Sequence, residues 1–394
     1  MARQRVLFVS PEPPYPLNGG GALRTASLLH YAAAWAEVDL VLFAVDGASD
    51  PVAAIPKGLV REILPMPLPA HSMNPVARIV RNGGRLLRGV PPLLDRFSGC
   101  EGVLGSFLRN RSYDAAILEH FWSAPYQNLV RRHAGQVYLN LHNIESEWHG
   151  RLGQRSWWPA SAGHRRFAAL YRAAESQHLP RFDRVLVTSP REAALLAGSR
   201  SMVYPNAIPA RTRPAGVGET ESIVFSGNLE YHPNQQAVGW FAARVWPALR
   251  RRFPGLVWRI VGKNPHGVRG LVQGVPGVQL TGPVNDAIAV LAQSKVAVVP
   301  VLSGSGTRVK ILEAWAAGLP VVSTALGAEG LDAEPSVHYR SASTAEEFAE
   351  AVSGLLENPR QAAQLGDSGR CIYEERYTWE AAWGHLAREK FLMP

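Results

Sequence analysis

From end to end the chain alternates short apolar runs rich in β-branched residues with longer stretches whose apolar positions recur every three or four residues. The short runs predict strands: RVLFVS (5–10), VDLVLFAV (38–45), AAILEH (115–120), VYLNLH (137–142) and RVLVTS (184–189) in the first half. SIVFSGN (222–228), VWRIVG (257–262), VQLTG (278–282), VAVVPV (296–301) and PVVST (320–324) follow in the second. Continuous apolar strands separated by amphipathic helices imply parallel sheets covered on both faces. The rhythm breaks once, at NAIPARTRPAGVGETES (206–222), where Pro, Gly and small polar residues carry no hydrophobic period. A linker there gives an α/β chain of two doubly wound domains, 1–205 and 206–375, closed by a helical segment over 376–394.

Composition narrows the partners. With 394 residues, 46% apolar and 19% charged, the chain is globular and long enough for two cores. Its net charge of +9, supplied mostly by arginine, favours anionic ligands. No basic run with interleaved aromatics points to nucleic acid. Cys100 and Cys371 fall in no metal or redox motif. The opening apolar run is too short for a signal peptide, and the longest apolar region is interrupted by Glu37 and Asp39. A cytoplasmic protein is expected, with room for a peripheral place on the inner face of a membrane.

Ligands of doubly wound sheets bind beyond the carboxyl ends of the strands, so polar and glycine residues there are the candidates. In VLSGSGTRVKILEAWAAGLPVVST (301–324), Ser303, Gly304, Ser305, Gly306 and Thr307 form a loop before a helix that Gly318 ends. Arg308 and Lys310 stand in its predicted first turn, where cations are mildly unfavourable unless an anion is held there. A diphosphate would satisfy both, and Glu313, one turn on, could accept hydrogen bonds from two neighbouring ribose hydroxyls. Val309, Leu312 and Trp315 are expected on the buried face. The simpler alternative is a surface loop with an i,i+3 Lys310–Glu313 pair.

Further candidates follow other strands. In SPEPPYPLNGGGALR, Gly19 and Gly20 can approach a phosphate or sugar. Gly19 and Gly21 begin a G-x-G-x-x-G pattern, but Arg24 breaks it and the run starts too late after the strand, which argues against an NAD site. His142 in LNLHNIESEWHG could bond a sugar hydroxyl or a developing charge, with Asn143 beside it; His120 ends another strand in the same way. In SGNLEYHPN, Gly227 allows close approach and Asn228 can donate to phosphate or sugar; a plain glycine turn with Asn234 as helix cap is the alternative. No H-E-x-x-H or similar spacing makes a metal site. Arg78, Arg81, Arg85 and Arg88 recur at helical spacing in 74–89, a basic face for anionic lipid or a phosphorylated acceptor, although an ordinary solvated face is the simpler reading.

These residues together resemble the family 4 retaining glycosyltransferases of the GT-B fold. SGSGTRVKILEAWAAGLPVVSTALGAEGL is similar to that family's donor-binding segment, and LHNIES, YPNAI, FSGNLEYHPN and YTWEAAWGHL fall in the family's order. The resemblance implies two Rossmann-like domains facing across a cleft, with the C-terminal helix crossing back to the first. It implies that Glu313 holds the nucleotide ribose. Arg308 and Lys310 would clamp the diphosphate with the backbone of 303–307, His142 would lie near the donor sugar, and Gly19 and Gly20 would form the first domain's glycine loop. Two departures stand out: Ser305 replaces a glutamate common eight positions before the ribose glutamate, and Asn228 replaces a common basic residue.

The expected reaction is a metal-independent transfer of a sugar from a nucleoside-diphosphate sugar, UDP- or GDP-linked, to an acceptor hydroxyl, with retention at the anomeric carbon. Saccharide, lipid-linked and secondary-metabolite acceptors are all compatible with it, and nothing in the chain speaks to oligomeric state. A sugar-nucleotide epimerase of the same fold and a non-catalytic sugar-nucleotide-binding protein are the rival readings.

Overall fold

The computed structural model describes residues 3–46, 50–72, 74–196, 198–304 and 308–392. These divide into two compact units, residues 3–205 with 383–392 and residues 206–304 with 308–382. The first unit begins β1 (Gln4–Ser10), α1 (Gly20–Ala33), β2 (Ala36–Val45), β3 (Glu62–Leu68), α2 (Pro75–Arg88), α3 (Pro92–Phe97), α4 (Glu101–Leu108) and β4 (Tyr113–Glu119). It continues α5 (Gln127–Val130), β5 (Ala134–Asn140), α6 (Glu145–Arg155), α7 (Ala160–His178), β6 (Arg184–Val187), α8 (Pro190–Leu195) and β7 (Ser201–Val203). The second unit runs β8 (Ser222–Ser226), α9 (His232–Arg244), α10 (Trp246–Arg252), β9 (Val257–Val261), α11 (His266–Val272), β10 (Val278–Gly282), α12 (Ala287–Ala292) and β11 (Val296–Val299). After it come α13 (Val309–Ala316), β12 (Val321–Ser323), β13 (Arg340–Ser341), α14 (Ala345–Glu357), α15 (Pro359–Arg376) and α16 (Trp379–Arg388).

Both sheets are parallel and share one winding. The first has the order β3-β2-β1-β4-β5-β6-β7 and the second β10-β9-β8-β11-β12-β13. The direction of winding reverses between β1 and β4 and between β8 and β11, and these switch points are where such sheets place ligands. Helices cover both faces, so central strands such as Val6–Val9 and Ile223–Phe225 are fully buried and need no polar alternation. Each unit has its own core: Leu7, Val41, Leu118 and Leu139 in the first, Phe241, Trp246, Trp258 and Phe348 in the second.

The last residues of α16 belong to the first unit. Trp383 Nε1 donates to the carbonyl and hydroxyl oxygens of Ser27 at 3.0 and 3.1 Å, and Tyr31 donates to the Phe391 carbonyl at 3.2 Å.

The structure departs from the sequence expectations in several places. Three strands were not foreseen. β7 and β13 are only three and two residues long. β3 reads EILPMPL, and prolines argue against a strand except at an edge, which is where β3 lies. Pro65 and Pro67 pair in register with Leu42 and Ala44, so their missing N–H groups must face away from β2. Several strands stop earlier than their apolar runs: β4 at Glu119, β5 at Asn140, β8 at Ser226 and β11 at Val299. Arg308 is the N-cap of α13 and not in its first turn, Val309 is only half-buried, and Asn234 lies inside α9, whose cap is Tyr231. Ser305, Gly306 and Thr307 lie outside the described residues.

Candidate nucleotide-sugar site

In the second unit the ends of β8 and β9 converge at two glycines. Gly227 N donates to the Val261 carbonyl at 3.0 Å and Gly262 N to the Gly282 carbonyl at 3.1 Å, so three strand ends are laced together. No side chain fits there. A Cβ on Gly227, whose φ is +150°, would stand 2.8 Å from Asn234 Nδ2 and 3.5 Å from Lys310 Nζ.

Around this gap stand the polar groups of α9 and α13. Lys310 Nζ donates to Asn234 Oδ1 at 3.1 Å and lies 5.4 Å from the centre of the Phe225 ring. Asn234 Nδ2 donates to the Asn228 carbonyl at 2.7 Å. Asn228 Oδ1 accepts from Asn264 Nδ2 at 3.0 Å and from Glu230 N at 3.2 Å, which turns the Asn228 amide nitrogen toward other partners. Glu313 accepts from the Ser226 hydroxyl at 3.3 Å.

Burial tunes both charges. It lowers the Lys310 ammonium to about 8, helped by neighbouring Arg308, against the attraction of Glu313. It raises the Glu313 carboxyl to about 7, against Lys310 and the Ser226 hydrogen bond. A cation and an anion are thus held half-desolvated, the state that an incoming ligand of opposite charge can complete.

Arg308 is placed differently. Its Nε donates to the Glu329 carbonyl at 2.9 Å and its guanidinium pairs with the Glu329 carboxylate at 3.2 Å, so part of its charge is already balanced. Ser303 donates to Gln236 Oε1 at 2.6 Å, and a Cβ on Gly304 would meet Pro233 at 2.9 Å and the Tyr231 hydroxyl at 3.3 Å. Ser303 and Gly304 therefore rest on the start of α9.

The first unit gathers a second polar cluster at its own switch point. His120, just beyond β4, has the strained backbone φ 59°, ψ 150°. Its ring stacks on His142 at 3.6 Å between centres and on Trp122 at 4.2 Å, and Trp122 stacks on Phe97 at 5.3 Å. His142 Nε2 lies 2.8 Å from Glu119 Oε2, which also accepts from Asn140 Nδ2 at 2.9 Å and Thr25 Oγ1 at 3.0 Å. A carboxylate partner fixes the proton on Nε2 and leaves Nδ1 as an acceptor. Burial drives both imidazoles well below their ordinary value, so they act as neutral hydrogen-bonding groups. Fully buried Arg24 donates to Asn140 Oδ1 at 2.9 Å and to the Tyr204 carbonyl at 2.5 Å.

Of the first-domain glycines, Gly19 has open space where a Cβ would go and Gly20 merely begins α1. The close approach is made by Gly21, whose Cβ would lie 3.2 Å from Glu12 Oε2 and 3.5 Å from His142 Nδ1. Asn143 is half-buried in the turn after His142. The sequence reading missed Glu12, Arg24, Glu119 and Glu329. A carboxylate and a guanidinium inside otherwise apolar elements were the available signal for Glu119 and Arg24. Glu145, accepting from Trp122 Nε1 at 2.8 Å, is pushed up to about 7 by burial. Among the described residues no group of three or more His, Cys, Asp or Glu is placed to hold a metal ion.

Residues 220–358 match the family model Glycosyl transferases group 1. An exopolysaccharide phosphotransferase of Streptomyces coelicolor is 28% identical over 198 residues, which is 45% of this chain and 20% of that one. The chain spans less than half the length of the curated relatives it matches. Sucrose-phosphate synthase from Thermosynechococcus elongatus superposes with a TM-score of 0.75 at 21% identity, over 100% of both chains. HepE from Anabaena, solved with UDP and glucose, superposes with a TM-score of 0.64 at 16% identity, over 99% of this chain and 100% of that one. The chain therefore has the α/β architecture of the GT-B glycosyltransferases, and the segment that matches the family model lies within its second unit.

Proposed function

We propose that this protein transfers a glycosyl group from a nucleoside-diphosphate sugar to an acceptor hydroxyl, with retention at the anomeric carbon and without a metal ion. The observation that carries the reading is the Lys310–Glu313 pair. A desolvated cation and a desolvated carboxylate sit one helical turn apart beside Gly227, at the switch point of a doubly wound sheet. The cation suits a diphosphate and the carboxylate a ribose. HepE, of the same fold, has been solved with UDP and glucose, which supports this choice of donor.

In this reading the bond to the diphosphate breaks as negative charge grows on the leaving oxygen. Lys310 and the start of α13 stabilise that charge where it develops, and Arg308, tempered by Glu329, assists. Asn228 offers its amide nitrogen to phosphate or sugar. The leaving phosphate oxygen takes the acceptor proton on the face the new bond forms, so no protein base is required. The first unit provides the acceptor side. There His142, with Nδ1 free of its own proton, accepts from a sugar hydroxyl, and stacked His120 together with Asn143 borders the acceptor. Exopolysaccharide-type saccharides and lipid-linked acceptors both fit such a role.

Calorimetry with UDP and GDP tests the assignment. Glu313→Ala should weaken nucleotide binding by about tenfold to a hundredfold, the loss of one desolvated hydrogen-bonded group. Lys310→Ala should reduce turnover more than affinity. Normal nucleotide affinity in both variants would remove the basis for the proposal. Incubation with donor alone separates an epimerase, which would convert it without any acceptor.

A further inference from the structure

One carboxylate of the first unit has no part in the glycosyl transfer described so far. The stretch SPEPPYP (10–16) follows β1 directly and sets Glu12 between Pro11 and Pro13. Proline fixes its own φ and keeps the residue before it extended, so this stretch has little freedom to lose. Pro11 and Pro14 are buried, and Ser10 Oγ donates to the Glu12 carbonyl at 2.6 Å. The backbone of Glu12 is thereby held at the carboxyl end of β1, on the switch point that β1 shares with β4.

The side chain of Glu12 reaches the histidine cluster. Its Oε2 stands 3.7 Å from His120 Nε2, and a Cβ on Gly21 would come within 3.2 Å of the same oxygen. Gly21 thus leaves the room that this carboxylate occupies. The side chain is 52% exposed, yet desolvation by the surrounding protein raises the carboxyl from its ordinary value. An open group in a desolvating setting lines the wall of a recess. An incoming hydroxyl or ammonium would relieve that desolvation, and an incoming anion would aggravate it.

The other charges of the cluster are out of reach. Glu119 and Glu145 are 0% and 4% exposed, and Arg24 is 1% exposed with its guanidinium turned to Asn140 and the Tyr204 carbonyl. His120 and His142 are held neutral. Glu119 Oε1 is buried with no hydrogen-bond partner among the described residues, so the carboxylates of the cluster are not saturated with donors. What a ligand meets in this cluster is one open charge, and it is negative.

We propose that Glu12 selects the acceptor: it admits a saccharide that presents hydroxyls or an amine beside its reacting hydroxyl and turns away one that presents a phosphate or a carboxylate there. The inference rests on the reading that the first unit receives the acceptor, and adds the acceptor's chemical class. Like charges about 4 Å apart repel even in bulk water and more strongly in a recess, so an anionic sugar should bind about tenfold more weakly. A lipid-linked acceptor qualifies where its phosphates stand away from the reacting hydroxyl.

Saturation-transfer NMR on the full chain tests this with glucose, glucosamine, glucuronate and glucose 6-phosphate, each titrated with and without UDP. Glucose and glucosamine should bind, glucosamine the tighter, and the two anions about tenfold more weakly than glucose. Glu12→Gln keeps the size and removes the charge. It should bring the four sugars within about twofold of one another while the melting temperature stays as in wild type. Glu12→Lys should reverse the order and put the anions ahead. Equal affinity of the four sugars for the wild type, an unchanged preference in Glu12→Gln, or no sugar bound at all would overturn the proposal. Failure of the donor reading looks different: a chain that ignores UDP and GDP yet still discriminates among the sugars through Glu12 upholds this inference alone.

Discussion

Gly262 and Gly227 approach so closely that a Cβ on Gly262 would fall inside the van der Waals shell of the Gly227 carbonyl oxygen. Gly262 also holds φ +156°, so an alanine there suffers in both its backbone and its surroundings. Gly262→Ala should cost roughly 2–4 kcal/mol by forcing β8 and β9 apart, and should displace Gly227 from Lys310. Urea unfolding and nucleotide calorimetry would report the two losses together. Gly270→Ala, where a Cβ meets open space inside α11, is the control and should be neutral or stabilising by about 0.5–1 kcal/mol.

Nucleotide affinity should peak between about pH 7 and pH 8. Lys310, lowered to about 8, must be protonated to hold a diphosphate, so binding raises its pKa, takes up a proton and weakens as pH rises past 8. Glu313, raised to about 7, must be ionised to accept ribose hydroxyls, so binding weakens as pH falls below 7. Calorimetry in buffers of different ionisation enthalpy should show proton uptake on the alkaline side and release on the acid side. Lys310→Arg should remove the alkaline limb only. A flat profile between pH 6 and 9 would contradict the assignment of both groups.

Asp39 should govern part of the acid stability of the first unit. Burial alone would raise its carboxyl, but hydrogen bonds from Arg61 at 2.8 and 2.5 Å and from Tyr113 at 2.8 Å hold it below its ordinary value. A depressed carboxyl gives stability that is complete above its unfolded value, near pH 4, and disappears as pH falls through the folded value. Asp39→Asn should therefore destabilise by about 1–3 kcal/mol at pH 7, with the gap to wild type closing as the pH drops below about 4.

Glu119→Ala should be more damaging, by roughly 3–5 kcal/mol, because it strips Thr25, Asn140 and His142 of a shared acceptor and leaves Arg24 buried without its nearby carboxylate. Denaturant melts would measure this, and the His142 imidazole signals in NMR would shift as the ring loses its fixed tautomer.

Much of this was legible from the chain alone. Apolar period and glycine punctuation placed Gly318 at the end of α13 and Glu313 on its polar side, because both depend only on neighbours a few residues away. What escaped depends on distant partners. Arg24 was read as the residue spoiling a nucleotide fingerprint, yet it donates to Tyr204, which lies 180 residues on in the chain. Glu329 was passed over because only the folded chain brings it to Arg308. The arginines of α2 were read as the helix's outward face, yet Arg85 is buried and donates to Asp95 Oδ2 at 2.8 Å, since spacing defines a face but not which way it turns.

The two prolines of β3 carry a consequence for how the protein behaves in a crowded solution. An edge strand normally exposes donors and acceptors that invite a strand from another molecule. With Pro65 and Pro67 on the outward side, that edge lacks two successive donors, and an incoming chain would find a ladder with missing rungs. The first unit's sheet is thereby guarded against growing by addition along β3, while its interior keeps a continuous parallel ladder. Restoring both donors, for instance with valine, should leave the fold intact and raise its tendency to form fibrous aggregates on prolonged heating.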